Sequence, residues 1–149
     1  MVFLQAAVSR AGPAYALVAQ VETGRIDLLL SQDVVDEVRE VLLRPAVQKK
    51  FPLLTIRFVD EFLHRMGSLA VFIEHVPPTF RSTRDPDDEI YVNLALAGQA
   101  RYLVTRDRDL LDLEIENNPE GRDLRRLNAG FRILDPVELL RQLFAAHRP

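Results

Sequence analysis

Three groups of carboxylates carry the residues most suited to joint chemistry: Glu37; Asp85, Asp87 and Asp88; and Asp107 with Asp109. Oxygen donors without nitrogen or sulfur suit Mg²⁺ or Mn²⁺. Two carboxylates about 4 Å apart repel by roughly 4 kcal/mol at an effective dielectric near 20. A cluster of them therefore calls for a cation or for raised pKa values. A divalent ion held there can activate water and clamp the oxygens of an in-line phosphoryl displacement. Each group also has a plainer reading. Asp85 can cap a helix, with Pro86 at its first position and acids in its first turn. Asp88 fits that reading less well, because helical spacing sets it over Val92 and Ala95 on an apolar face. Glu37 can be a solvated helix residue, although it borders the apolar stripe rather than opposing it. Asp107 and Asp109 can be ordinary loop or capping acids.

The elements that must position these acids follow from periodicity. Phe3 to Ser9 is apolar and helical in pattern, interrupted by Gly12-Pro13, and Ala14 to Val21 continues as a helix until Gly24. Arg25 to Ser31 reads as a buried strand. Asp33 to Leu43 is an amphipathic helix with Val34, Val38, Val41 and Leu42 on one stripe, ended by Pro45. Leu54 to Met66 is a further helix with Phe58, Phe62 and Leu63 inward, and Ala70 to Val76 a strand closed by Pro77-Pro78. After the polar loop Thr79 to Arg84, a helix runs from Asp85 to Ala97. Tyr102 to Val104 is a short strand ending at Thr105, and Asp109 to Leu113 a helical turn. Glu114 to Gly130, with Asn117-Asn118-Pro119 and Gly121, reads as a long loop. Phe131 to Leu134 is the last strand and Pro136 to Ala146 the last helix. This alternation predicts an α/β class with a parallel sheet covered on both faces, in one domain over residues 1–149. Sites in such sheets form beyond the carboxyl ends of strands, and that is where all three acidic groups fall. An opening helix in place of an opening strand is unusual for the pattern.

Other chemistry is excluded more easily. The absence of cysteine removes disulfides, thiolate zinc sites and a cysteine nucleophile, and it fits a reducing cytoplasm. The glycines form neither G-x-G-x-x-G nor a P-loop. His64, His75 and His147 lack zinc spacing and read as surface or packing residues. No Ser lies in a G-x-S-x-G elbow. No apolar run approaches the roughly 18 residues of a membrane helix, and the absence of a basic residue before Arg10 argues against a signal peptide. A net charge of −3 gives no global pull on nucleic acid. Arg81, Arg84, Arg106 and Arg108 nevertheless flank the acids, where they can contact phosphate or remain solvated loop cations.

Taken as a string, these residues resemble a known family. Ser31 followed by Glu37-Val38-Arg39-Glu40-Val41-Leu42 and Arg44-Pro45 is similar to the second strand–helix unit of the toxin branch of PIN domains. Arg84-Asp85-Pro86-Asp87-Asp88 with Ala95-Leu96-Ala97 resembles that branch's acidic helix start, and Tyr102 to Leu111 its final acidic strand end. The resemblance implies a PIN-like three-layer α/β sandwich with a parallel central sheet. It also implies Mg²⁺- or Mn²⁺-dependent endoribonuclease activity of the VapC-like toxin kind, an RNA substrate, a cognate antitoxin and a possible homodimer, in the cytoplasm and away from membranes. By position it makes Glu37, Asp88 and Asp107 catalytic and metal-binding acids and Asp109 an auxiliary metal ligand. Thr105 and Asp85 support the site, and Arg84, Arg106 and Arg108 contact substrate. Met1-Val2 falls just after the place of the family's first aspartate. The resemblance therefore implies a chain lacking the opening strand and that acid, through a downstream start or a decayed gene, and so impaired in activity.

Two readings from other classes stand beside the toxin-type ribonuclease. One is a non-catalytic PIN-like module that binds a partner. The other is a receiver-like phosphoacceptor domain, which wants a lysine on its last strand; no lysine follows Lys50. The acids alone do not separate an RNA-directed from a DNA-directed nuclease.

Overall fold

The computed structural model describes residues 2–146, so His147 lies outside the described residues. The chain divides into two compact units, one running Phe3–Glu74 and the other starting at His75. Helix α1 (Val2–Val8) precedes α2 (Pro13–Glu22), which opens with Pro13 after Gly12 at φ 92°. At its far end Gly24 takes φ 68°, Gly24 N–H donates to the Val21 carbonyl and Arg25 N–H to that of Gln20. This is the crossed pair of hydrogen bonds that closes a helix on a left-handed glycine.

Strand β1 is only Leu29–Leu30, and it pairs in parallel with β2 (Val71–Phe72). Both are much shorter than the runs Arg25–Ser31 and Ala70–Val76 that the sequence suggests. Val71 and Phe72 are 49% and 44% exposed, so β2 lies at the surface. The buried Ser31 hydroxyl accepts from Val34 N–H and starts α3 (Gln32–Leu42). Val34, Val38 and Leu42 form the buried stripe of α3, each four residues from the next and so on one face. Pro45 does more than end α3, for it also begins α4 (Pro45–Lys50). In α5 (Ile56–Leu69) the buried residues are Val59, Leu63 and Met66, while Phe58 and Phe62 are half-buried. Helix α3 packs on α4 and α5.

In the second unit, a 3₁₀ turn at Pro86–Asp88 leads into α6 (Glu89–Ala97). Strand β3 (Tyr102–Val104) pairs in parallel with β4 (Arg132–Leu134), Leu103 opposite Ile133. The Glu114 carboxylate accepts from Ile133 N–H at 2.6 Å, so a side chain satisfies that backbone group. Among the described residues the strands thus form two separate two-stranded parallel ladders rather than one continuous sheet. The core gathers Phe80, Val92, Ala95, Leu110, Leu113, Leu124, Phe131 and Ile133. Phe80 is locked by Asn93, whose side-chain amide accepts from Phe80 N–H at 2.7 Å and donates to its carbonyl at 3.1 Å. No single described helix is long and apolar enough to cross a membrane.

The stretch Glu114–Gly130 is not the long loop expected. After α7 (Arg108–Leu111) and a 3₁₀ turn at Asp112–Glu114, it forms α8 (Pro119–Leu127), and α9 (Pro136–Ala145) follows β4. Asn118 and Pro119, which suggest a loop, are instead the cap and first residue of α8: Asn118 Oδ1 accepts from Gly121 N–H at 2.9 Å. Gly121 weakens helix propensity by about 1 kcal/mol, yet its place demands it. A Cβ there would lie 1.9 Å from the Leu113 carbonyl oxygen. Gly121→Ala should therefore lower stability by about 2 kcal/mol or more, because overpacking against backbone outweighs the gain in propensity. Thermal melting checks this, and an unchanged or higher Tm would contradict the close approach.

Candidate active site

The acids of the second unit sit on two turns built from hydrogen bonds. At the end of β3, Thr105 N–H donates to the Leu134 carbonyl at 3.0 Å, extending the ladder by one residue. The Thr105 hydroxyl then accepts from Asp107 N–H at 3.0 Å. Asp107 is extended at the head of α7, and its Oδ1 accepts from Asp109 N–H at 2.8 Å. On the other turn, Asp85 Oδ1 accepts from Asp87 N–H at 3.0 Å and the Asp85 carbonyl from Asp88 N–H at 3.3 Å. Asp85 thus has the geometry of a cap. Asp88 has helical backbone angles and makes no side-chain cap bond.

Electrostatics link the two turns at Asp88. Burial first, then the charges of Asp107, Asp85, Asp109 and Asp87, push its carboxyl from 3.8 up to about 6. Two of those charges, Asp107 and Asp109, belong to the other segment, so the fold of this unit brings Asp88 within reach of them. Glu37 lies in the first unit, half-buried on α3 and 3.8 Å from Arg44. The donors are all oxygen, the chemistry a hard divalent cation takes. Among the described residues, however, no group of three or more His, Cys, Asp or Glu is gathered into a metal cage.

The arginines divide. Arg84 forms ion pairs with Asp109 and, at 3.1 Å, with Asp112, so its charge is already matched within the protein. Arg81 lies 3.2 Å from Glu89. Among the described residues Arg106 and Arg108 are exposed and make no ion pair. His64 and His75 are exposed. Sequence reasoning missed Asp112, Glu89 and Glu120, which bind the 81–84 loop. Glu89 Oε1 accepts from Ser82 N–H at 2.9 Å, and Glu120 Oε1 from Thr83 N–H at 2.8 Å. For Glu120 the available signal was its place just after Asn118-Pro119, where an acid suits a helix start.

The second unit thus carries carboxylates from two segments near the end of a parallel strand, an arrangement compatible with metal-dependent phosphodiester chemistry. The PIN domain family model matches residues 1–109, and the chain belongs to the PIN-domain family. Its members are generally nucleases that use divalent ions such as Mg²⁺ or Mn²⁺. The match ends on Asp109, so it includes Glu37, Asp88 and Asp107. No curated protein and no solved structure matches the chain.

The displaced acidity of Asp88 has a sign that can be measured. A carboxyl whose folded-state pKa is raised makes the folded state the tighter proton binder between about 4 and about 6. Without metal, stability should fall as pH rises through that window, and the full cost is present above it. Asp88→Asn removes the charge. In chelator at pH 7.5 it should be more stable than wild type by about 1–2 kcal/mol, after discounting for solvent screening. The gain should vanish near pH 4. Denaturant unfolding at both pH values checks this; equal stabilities at pH 7.5 would mean that Asp88 is not under strain.

Proposed function

We propose that this chain is a metal-dependent endoribonuclease, the toxin of a toxin–antitoxin pair, with the three-layer sandwich and central parallel sheet of its family. The observation that carries the nuclease reading is Asp88, opposed by Asp107 from a separate segment within a PIN-domain chain. In this reading Asp88 and Asp107 would hold Mg²⁺ or Mn²⁺ with Asp109 auxiliary, and Glu37 is a further catalytic acid by motif resemblance alone. The ion supplies an activated water and charge neutralisation at the scissile phosphate. Thr105 fixes the Asp107 turn by its hydrogen bond to the Asp107 amide. Arg106 and Arg108 would contact phosphate, since among the described residues they are exposed and make no ion pair. Arg84 is less suited to that role, being paired with Asp109 and Asp112. RNA as substrate, a cognate antitoxin as partner, a possible homodimer and a cytoplasmic setting are what the resemblance of the acidic motifs to toxin-type PIN domains implies.

One other reading stands beside it, a PIN-like module that binds a partner without catalysis, since no group of three or more His, Cys, Asp or Glu among the described residues is gathered into a metal cage. Calorimetric titration with Mn²⁺ separates the two. Wild type should bind Mn²⁺ and cleave single-stranded RNA only in its presence, with chelator abolishing cleavage. Asp88→Asn combined with Asp107→Asn should lose both. Equal weak binding by wild type and the double variant would overturn the nuclease reading. A second test concerns the arginines: Arg106→Ala with Arg108→Ala should weaken RNA binding at low salt and flatten its salt dependence. Unchanged affinity in a filter-binding titration would remove them from the binding surface.

A further inference from the structure

The polar loop before the Asp88 turn is held by a relay that ends on the acids. Glu120, in the first turn of α8, accepts from Thr83 N–H at 2.8 Å and from the Thr83 hydroxyl through Oε1. Its Oε2 accepts from the Ser82 hydroxyl at 3.5 Å. That hydroxyl oxygen accepts in turn from Asp85 N–H at 3.3 Å. Asp85 then receives Asp87 N–H on its carboxylate and Asp88 N–H on its carbonyl. Ser82 can do both jobs because a hydroxyl donates one hydrogen and accepts on its lone pairs.

The same loop is tied on its other side. Arg84 donates to Asp112 at 3.1 Å and pairs with Asp109, whose own N–H is bound to Asp107. One short segment, Ser82 to Arg84, therefore connects α8, the Asp88 turn and the Asp107 turn. The base of the relay is firm. Gly121 lies against the Leu113 backbone, Leu124 is buried, and Arg125 donates to the Leu113 carbonyl at 3.0 Å. Although burial pushes the Glu120 carboxyl up, the Thr83 hydroxyl and amide, the Ser82 hydroxyl and Arg84 outweigh it and hold it below the ordinary value. Glu120 is thus ionised near neutral pH, and hydrogen bonds to a charged acceptor are the stronger kind.

We propose that Glu120 is a positioning residue for the acidic site, fixing the turn of Asp85–Asp88 through Thr83 and Ser82. That this site handles metal and RNA rests on the nuclease reading above; that Glu120 holds the turn does not. Glu120 lies beyond the part of the chain that matches the family model, so this support comes from outside the motifs that define the family.

Amide hydrogen exchange of the metal-free protein tests the hold directly. In Glu120→Ala, exchange at Thr83, Asp85, Asp87 and Asp88 should rise roughly 10-fold or more, with Thr105 and Arg132 in the β3–β4 ladder unchanged. Glu120→Gln keeps an oxygen acceptor and should fall between wild type and Ala. Thr83→Val removes only a hydroxyl and gives a milder form of the same change should the alanine variant fold poorly. Mn²⁺ titration should show a dissociation constant raised roughly 10-fold in Glu120→Ala, the usual scale for groups that orient metal ligands. Unchanged exchange at Asp87 and Asp88 would overturn the proposal. So would an equal loss of protection at Thr105 and Arg132, which would make Glu120 a general stabiliser. Should wild type bind no Mn²⁺ while local exchange still rises in the variant, Glu120's hold on the turn stands and the nuclease reading fails.

Discussion

Like charges in a partly desolvated place are the constraint on which the second unit depends. Asp85, Asp87, Asp107 and Asp109 are all near enough to Asp88 that their charges add to burial in raising its carboxyl. Left alone, such turns would drift apart, because each carboxylate gains solvation by moving into water. Two devices oppose that drift. Backbone N–H groups are aimed at Asp85 and Asp107, so each acid stabilises the turn that carries it. The Arg84 guanidinium meanwhile sits between the two segments, offsetting Asp109 and Asp112. Among the described residues Asp88 has no cationic partner in an ion pair. A bound divalent cation would offset that charge, as would protonation of the carboxyl.

The sequence made the acids legible and the support around them much less so. Asp85 with Pro86, and Asp107 after a short apolar strand, carry local signals: a cap, a first-turn proline, a strand end. The helices α2, α3 and α9 were readable for the same reason, since their caps and stripes are set within a few residues. The strands were harder. Leu29–Leu30 and Val71–Phe72 lie in longer apolar runs, and composition does not say where a ladder stops pairing. The helix α8 was misread because Asn-Asn-Pro and Gly are turn residues in isolation. Their meaning changed with one tertiary fact, the approach of Leu113 to Gly121. Arg84 shows the same limit: its position beside the acids suggested phosphate, whereas the fold matches it with Asp109 and Asp112.

This difference has a physical origin that bears on how the family's chemistry is built. The acids here are tied to a strand end or a helix start, so their local signals are short. The groups that hold them answer only to distance, and distance is set by the whole unit. Here they come from far along the chain: Leu134 accepts the amide of Thr105, Asp112 takes Arg84, and Glu120 takes Thr83. All three lie past Asp109, where the family match ends. In this chain the acids and the groups that support them therefore come from different stretches of sequence. Around the 81–84 loop those supporting groups combine charge and hydrogen bonds: Arg84 with Asp109 and Asp112, Thr83 with Glu120, and Ser82 with Glu120 and the Asp85 amide.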